Sequence, residues 1–470
     1  LLPEEIVQVE VWHTEDPFIW PQQKVQLDNE RKRSYLAFAD LTVTGTPIRV
    51  LANPAIPNAE TGNEGNAGIA LLTSNVPYRK SSSWDLRMPV DAWIISLADG
   101  ATKKFLDRKQ TTPRLSPGAG YAIWFNPADT SWYTYAVSDG KTTKLNAGLK
   151  VSFADEEDDH PDFPEPYGIA GWTAGDARVL IHDRYDIWSF DPRGTTPPVL
   201  LTRGRAGKIV HRYVRIDTEE RFIGPTSDLW VSLFSEADKQ SGYATISMKT
   251  GKMTTAVYGP ARHGGLYKAR LANQFLYTRE TFREFPDCWT AGKDFSKAVK
   301  ITSANPQQNR YKWGTAEPVS WNGPGGQILH GVLHKPDDFE ATKKYPLLVE
   351  IHGGAANMWR DQITLRWNYH LLAQPGYVVL LTNYVGSTGF GEQFARDIRL
   401  DPFAGPASEL NEAADEAIKR YPFIDATRQA AAGASYGGHL ANWLEGTTTR
   451  YKAIVSHAGL VNSEAQWGTS

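Results

Sequence analysis

From the first residues to about position 318 the chain alternates apolar and polar side chains in short runs. The runs are rich in β-branched and aromatic types, and each is closed by Gly, Pro, Asp or Asn. A period of two turns one face of each run to a core and the other to solvent, so this rhythm predicts strands. Residues 35–41, 92–97, 121–125, 179–182, 186–190 and 274–278 are examples, and no long amphipathic helix is expected to interrupt them. A loose repeat is visible: residues 116–125 and 173–181 each read as a small polar residue, a Gly-rich turn and an apolar strand, followed by a second strand at 132–137 and 186–190. A strand–turn unit of roughly 40 to 55 residues suits a four-stranded propeller blade, which predicts roughly six blades, with an array of β-sandwiches as the alternative.

The rhythm changes after residues 305–313, which read as a linker. Short apolar strands at 347–351, 377–382, 429–432 and 453–456 now alternate with helical stretches at 362–373, 408–420 and 438–444. In the middle helix Leu410, Ala413, Ala414, Ala417 and Ile418 recur at i, i+3, i+4, i+7 and i+8, one apolar face. Strands joined by crossover helices imply a mostly parallel, doubly wound sheet. The expected domains are therefore 1–315, all-β, and 316–470, α/β.

Composition narrows the functional classes. A chain of 470 residues, 41% hydrophobic with 16 Trp, 20 Tyr and 18 Phe, exceeds one core and is not a disordered segment. Fifty basic against fifty-three acidic residues, with no Lys/Arg block, argue against nucleic acid as a partner. No apolar run is long enough for a membrane span and no leader pattern opens the chain, so a soluble protein is expected. The compartment stays open between cytoplasm and, if a leader has been lost, periplasm or secretion. Cys288 is the only cysteine, which excludes an intrachain disulfide and a thiolate cluster; an inert buried thiol is expected. No cofactor or metal is expected, and self-association is left open.

One motif is sharp. Gly433-Ala-Ser-Tyr-Gly437, followed by Gly438, comes after an apolar strand and opens a helix. A serine on such a tight turn holds its Oγ clear of the backbone near the positive end of the helix dipole, and the glycines leave room where strand and helix approach. Ser435 is thus the candidate nucleophile. The second element is His352-Gly-Gly354, ending an earlier strand. A tetrahedral intermediate needs two aimed N–H donors, one from the residue after the nucleophile and one from such a loop. Tyr436 and Gly354 are the chosen pair, with Gly353 a close rival to Gly354.

Tyr345-Pro-Leu-Leu-Val-Glu-Ile-His-Gly-Gly354, Asn383-Tyr-Val-Gly-Ser-Thr-Gly-Phe-Gly391 and Gly433-Ala-Ser-Tyr-Gly-Gly438 together resemble the catalytic domain of the prolyl oligopeptidase (S9) family, in particular its dipeptidyl-peptidase and acylaminoacyl-peptidase branches. The resemblance implies a β-propeller followed by an α/β-hydrolase domain, a metal-independent serine peptidase and short peptide substrates. Two departures stand out: Ala355 where the family usually has Pro, and Val385 where it often has Arg. A third is length. The family's triad runs Ser, Asp, His, and neither the acid nor the base has a position in the stretch that ends at Ser470, so this chain is expected to be inactive and shortened at both ends. His439 and His457 are expected to be structural. An esterase or lipase on the same fold, and a propeller scaffold with an inactive hydrolase remnant, are the rival readings.

Weaker candidates remain. The acidic run Asp155-Glu-Glu-Asp-Asp-His160 could hold Ca²⁺ or a substrate amine but lacks calcium-loop spacing, so a solvated loop is expected. Glu280 and Glu284 are expected at the surface, and the tryptophans in blade cores.

Overall fold

The computed structural model describes residue 9 and residues 11–42, 44–45, 48–83, 85, 87–158 and 163–469. Among these the first half forms five four-stranded antiparallel sheets, each a meander of consecutive strands. Sheet I holds Asn58–Thr61, Ile69–Ser74, Val90–Ser96 and Thr102–Lys109; sheet II holds Arg114–Leu115, Tyr121–Asn126, Ser131–Ala136 and Thr142–Lys144. Sheet III holds Ile169–Trp172, Val179–His182, Ile187–Phe190 and Val199–Leu200. Sheet IV holds Ile209–Tyr213, Asp228–Ser235, Ser241–Ser247 and Met253–Gly259, and sheet V Arg262–Lys268, Gln274–Glu280, Asp287–Gly292 and Val299–Lys300. A two-stranded ladder, Ala37–Phe38 with Arg49–Val50, precedes them.

Each sheet packs its apolar face on the next. Leu71, Ala92 and Ile94 meet Ala122 and Trp124 between sheets I and II; Ile123, Phe125 and Trp132 meet Val179 and Phe190 between II and III. Leu180 and Ile187 meet Val231 and Ala244, and Trp230 and Tyr243 meet Phe275 and Tyr277. Face-to-face stacking of consecutive four-stranded meanders is consistent with a propeller. The two copies of the sequence repeat touch: buried Asp176 accepts from Ser116 Oγ at 2.6 Å and from the Gly118 and Gly120 N–H groups at 3.0 Å. Trp124, Trp132, Trp172 and Trp230 are buried in these cores.

Among the described residues of this half, one α-helix departs from the all-β rhythm. Trp20–Arg31 is helical with Pro at its start and no buried residue; Gln, Lys, Leu, Glu and Arg favour helix intrinsically, so no apolar stripe is needed to propose it. Cys288 is half-buried rather than buried, and Glu280 is buried, paired to Arg262, whereas Glu284 is exposed beside Arg279. The Arg262 partner explains Glu280, because a carboxylate is tolerated inside only with a countercharge.

The second half is a six-stranded sheet. Its strands are β1 (Thr315–Asn322), β2 (Ile328–Lys335), β3 (Tyr345–Ile351), β4 (Val378–Asn383), β5 (Ile424–Ala434) and β6 (Ala453–His457). Their order is β1-β2-β4-β3-β5-β6; the first two strands are antiparallel, and β4, β3, β5 and β6 run parallel. Helices α1 (Tyr369–Ala373), α2 (Glu392–Arg396), α3 (Ala404–Arg420) and α4 (Tyr436–Thr447) connect them. Leu410, Ala413, Ala414 and Ala417 of α3 and Leu440, Ala441 and Leu444 of α4 cover one face of the sheet over Leu347, Val349, Val378 and Leu380. Tyr369 and Ala373 of α1, with Phe282 from the loop between the second and third strands of sheet V, cover the other over Leu348, Val379 and Leu381. Burial on both faces is why these strands read as continuous apolar runs. The helix expected over 362–373 is confined to Tyr369–Ala373: Trp367 takes φ 53° and Asn368 caps the helix by accepting from Leu371 N–H.

Candidate active site

The small-residue strand β5 carries the chain to Ser435, where the backbone turns into α4. Ile351 of β3 sits in register with Gly433, and His457 of β6 with Ala434. Ser435 itself adopts φ 56°, ψ −120°. For a residue bearing a Cβ that conformation costs on the order of 1–3 kcal/mol and persists only when its surroundings impose it. Here they do. The Ser435 N–H donates to the His457 carbonyl at 2.9 Å, and its own carbonyl accepts from His439 N–H at 2.9 Å. A Cβ on Gly433 would lie 2.2 Å from the Gly437 carbonyl oxygen, and one on Gly437 2.2 Å from the Ile351 carbonyl oxygen, so strand and helix cross with no space for side chains. Ser435 is exposed, flanked by half-buried Ala434 and Tyr436 and then by buried Gly433 and Gly437, and its hydroxyl makes no capping bond to its own helix.

The loop after β3 runs past the same turn. A Cβ on Gly353 would come 3.3 Å from Ser435 Cβ, which places the His352-Gly-Gly segment against the serine; Gly354 has φ +62° and is exposed. Both members of the chosen donor pair, Tyr436 and Gly354, therefore lie on segments that flank Ser435, and Gly353 shares that position. The Tyr436 hydroxyl donates to the Pro402 carbonyl at 2.5 Å.

Behind this turn lies a packed polar layer. His352 is buried, and its Nε2 meets Ser387 Oγ at 2.9 Å. The Ser387 hydroxyl donates to the Tyr384 carbonyl at 2.7 Å, so Nε2 carries the proton and donates. Tyr384 returns its hydroxyl to the His352 carbonyl at 2.7 Å and stacks on the imidazole with centroids 4.4 Å apart. Burial pulls the His352 pKa down to about 4, which keeps the ring neutral. Glu409 of α3 accepts from Val385 N–H at 2.8 Å and from Gln327 at 2.7 Å, with burial pushing its carboxyl up to about 7. Val385, where an Arg was noted as frequent, is itself buried.

The two other histidines are occupied elsewhere. His439 Nδ1 meets the Leu460 carbonyl at 2.7 Å and its ring packs on Phe403 with centroids 4.4 Å apart. The His457 ring packs edge-on against Trp367 at 5.0 Å.

Sequence reasoning missed one group. Of the acidic run read as a solvated loop, Asp159 and His160 lie outside the described residues, but Glu157 turns inward. It accepts from Arg184 at 2.8 Å and from the Gly389 N–H at 3.0 Å, across the seam between the two halves. The loop is not simply solvated because Arg184, itself buried, supplies the countercharge. No spacing rule relates positions 157, 184 and 389.

Residues 363–470 match the sequence model of the prolyl oligopeptidase family. A probable dipeptidyl-peptidase 5 of Aspergillus clavatus is 39% identical over 143 residues, 30% of this chain and 20% of that protein. Dipeptidyl-peptidase 5 of Schizosaccharomyces pombe is 34% identical over 149 residues, 31% of this chain and 22% of that protein. The matched stretch thus spans less than a quarter of the length of these relatives. Among solved structures, a putative dipeptidyl aminopeptidase IV from Bacteroides ovatus superposes with a TM-score of 0.58 at 16% identity, covering 90% of this chain and 59% of that one. A puromycin-hydrolyzing peptidase of Mycobacterium tuberculosis gives 0.57 at 17%, covering 90% and 68%. At such identities the likeness shows the fold. The resemblance to the prolyl oligopeptidase family read from the three motifs is borne out.

Proposed function

We propose that this chain carries the nucleophile and oxyanion site of a serine peptidase that cleaves short peptides. Residues 316–470 would form part of an α/β-hydrolase domain and residues 1–315 the propeller that limits access to it. The observation that carries the reading is the conformation of Ser435, held at φ 56° by hydrogen bonds with β6 and α4 while the residue stays exposed. In the proposed reaction Ser435 Oγ attacks the scissile carbonyl and gives up its proton to a base. The new oxyanion is held by the Gly354 and Tyr436 N–H groups, and collapse expels the amine to leave an acyl-enzyme that water hydrolyses. His439 and His457 are not assigned the role of base, since among the described residues neither ring is hydrogen-bonded to Ser435: His439 Nδ1 meets the Leu460 carbonyl and the His457 ring packs on Trp367. The greater length of the relatives leaves room for the acid and base that the resemblance places after the nucleophile.

A fluorophosphonate probe tests this. Labelling of the naturally encoded protein that disappears in Ser435→Ala identifies the nucleophile; no labelling of the unaltered protein sinks the reading. Faster turnover of dipeptidyl anilides than of short-chain p-nitrophenyl esters would then separate a peptidase from an esterase.

A further inference from the structure

The first half of the chain grips the loop beside the candidate oxyanion site at Gly389 and its neighbour Phe390. Gly389 is buried; its N–H donates to Glu157 Oε1 at 3.0 Å, and its carbonyl accepts from Lys239 Nζ at 2.5 Å. Glu157 follows sheet II, and Lys239 lies in the turn between the middle strands of sheet IV. Two separate parts of the propeller therefore hold the donor and the acceptor of one peptide residue. Each gripping group is itself fixed. Glu157 Oε1 and Glu236 Oε1 both take Arg184 Nη2, at 2.8 and 2.9 Å, and Tyr185 donates to Glu236 Oε2 at 2.7 Å. Lys239 Nζ also donates to the Glu236 carbonyl at 2.6 Å and sits 3.8 Å over the Phe390 ring.

The other end of the same loop supports the site. Ser387, two positions before Gly389, receives the His352 N–H, and Tyr384 receives Ser387 and returns its hydroxyl to the His352 carbonyl. His352 immediately precedes Gly353 and Gly354. The contacts thus run without a gap from Glu157 and Lys239 through Gly389, Ser387 and Tyr384 to His352 and the candidate donors.

We propose that Glu157 and Lys239 are positioning residues: by clamping Gly389 they set the loop at 384–389, and through it the placement of the N–H donors that would meet the oxyanion. The consequence for rate rests on the serine-hydrolase reading above; the mechanical link does not. A displacement of about 1 Å at reacting atoms suffices to cost on the order of 100-fold in rate.

In the naturally encoded protein, Glu157→Gln and Lys239→Met are expected to lower kcat about 10- to 100-fold while KM moves by less than about twofold, since the lost interaction acts on transition-state donors and not on substrate binding. Glu157→Asp and Lys239→Arg, which keep the charges and serve if the first variants fold poorly, should recover part of kcat. Amide exchange over residues 384–391 and 352–355 should quicken in the first pair. A rise in KM at unchanged kcat would make the two residues substrate contacts, and unchanged kcat with unchanged exchange would make the clamp idle; either overturns the proposal. If the unaltered protein does not react with a fluorophosphonate at Ser435, the hydrolase reading falls, and the exchange comparison, which needs no activity, still decides the clamp.

Discussion

Glu350 sits one residue from the C-terminal end of β3, 4% exposed, with its Oε2 atom lacking a hydrogen-bond partner among the described residues. Burial pushes its pKa up to about 8, so the folded protein holds this proton where the unfolded chain has lost it. The contribution to stability is full below about pH 4.5 and is lost as pH rises through about 8, at roughly 1.4 kcal/mol per pH unit within that window. Glu350→Gln, which cannot ionise, should flatten this slope and melt above the parent at pH 9; thermal melts from pH 5 to pH 9 check it, and identical slopes would show that Glu350 is solvated after all. Gly437→Ala tests the other kind of constraint. Its Cβ would meet the Ile351 and His352 carbonyl oxygens at 2.2 and 2.8 Å, backbone atoms that cannot swing aside. A loss of about 1–3 kcal/mol in denaturant unfolding is expected, together with loss of fluorophosphonate reactivity if Ser435 is the nucleophile. Gly433, Ser435 and Gly437 were legible because their chemistry is local, five residues in one turn. Glu350 was not, because an alternating count cannot tell which side of a doubly covered strand a carboxylate faces.

At the scale of elements, the meeting of the two sequence repeats is itself a structural joint. Asp176 gathers one hydroxyl and two N–H donors from the turn that opens sheet II. Asp176→Ala leaves those buried donors unpaired and should cost about 3–5 kcal/mol, read as a shifted denaturation midpoint, whereas Asp176→Asn should cost less. An effect below about 0.5 kcal/mol would mean that water replaces the carboxylate. The repeat was visible in the sequence as composition; that its two copies bind one another was not, because the sequence records spacing along a chain and not which turn faces which. Helix α3 was legible from its apolar positions, although it begins at Ala404 rather than near 408. The segment at 362–368 misled for a related reason: its residues suit a helix, but Trp367 takes a left-handed conformation and Asn368 starts the helix afresh.

Across the whole molecule, buried histidines lie in both halves. Burial lowers His182 of sheet III and His334 of β2 to about 3, and His352 to about 4. The unfolded chain binds these protons below about pH 6.5 and the folded one does not, so stability is full above that pH and falls as the medium is acidified toward 4. Melting temperature should therefore drop between pH 6.5 and 4, less steeply in His334→Gln. The seam shares this exposure to acid, since His334 Nε2 meets His370 Nδ1 at 3.0 Å and His370 Nε2 meets the Phe282 carbonyl of the first half at 2.6 Å. Two rhythms along the chain were enough to separate the halves, but no local pattern joins Phe282 to His370 or Glu157 to Gly389, pairs brought together only by folding. The bond from Ser435 N–H to the His457 carbonyl carries a further consequence, one of timing. During synthesis the strained turn stays slack until β6 has cleared the ribosome, roughly a second or more after Ser435 itself emerges at about 5–20 residues per second. Residue 435 thereby takes its strained conformation only after the strand that fixes it has been made.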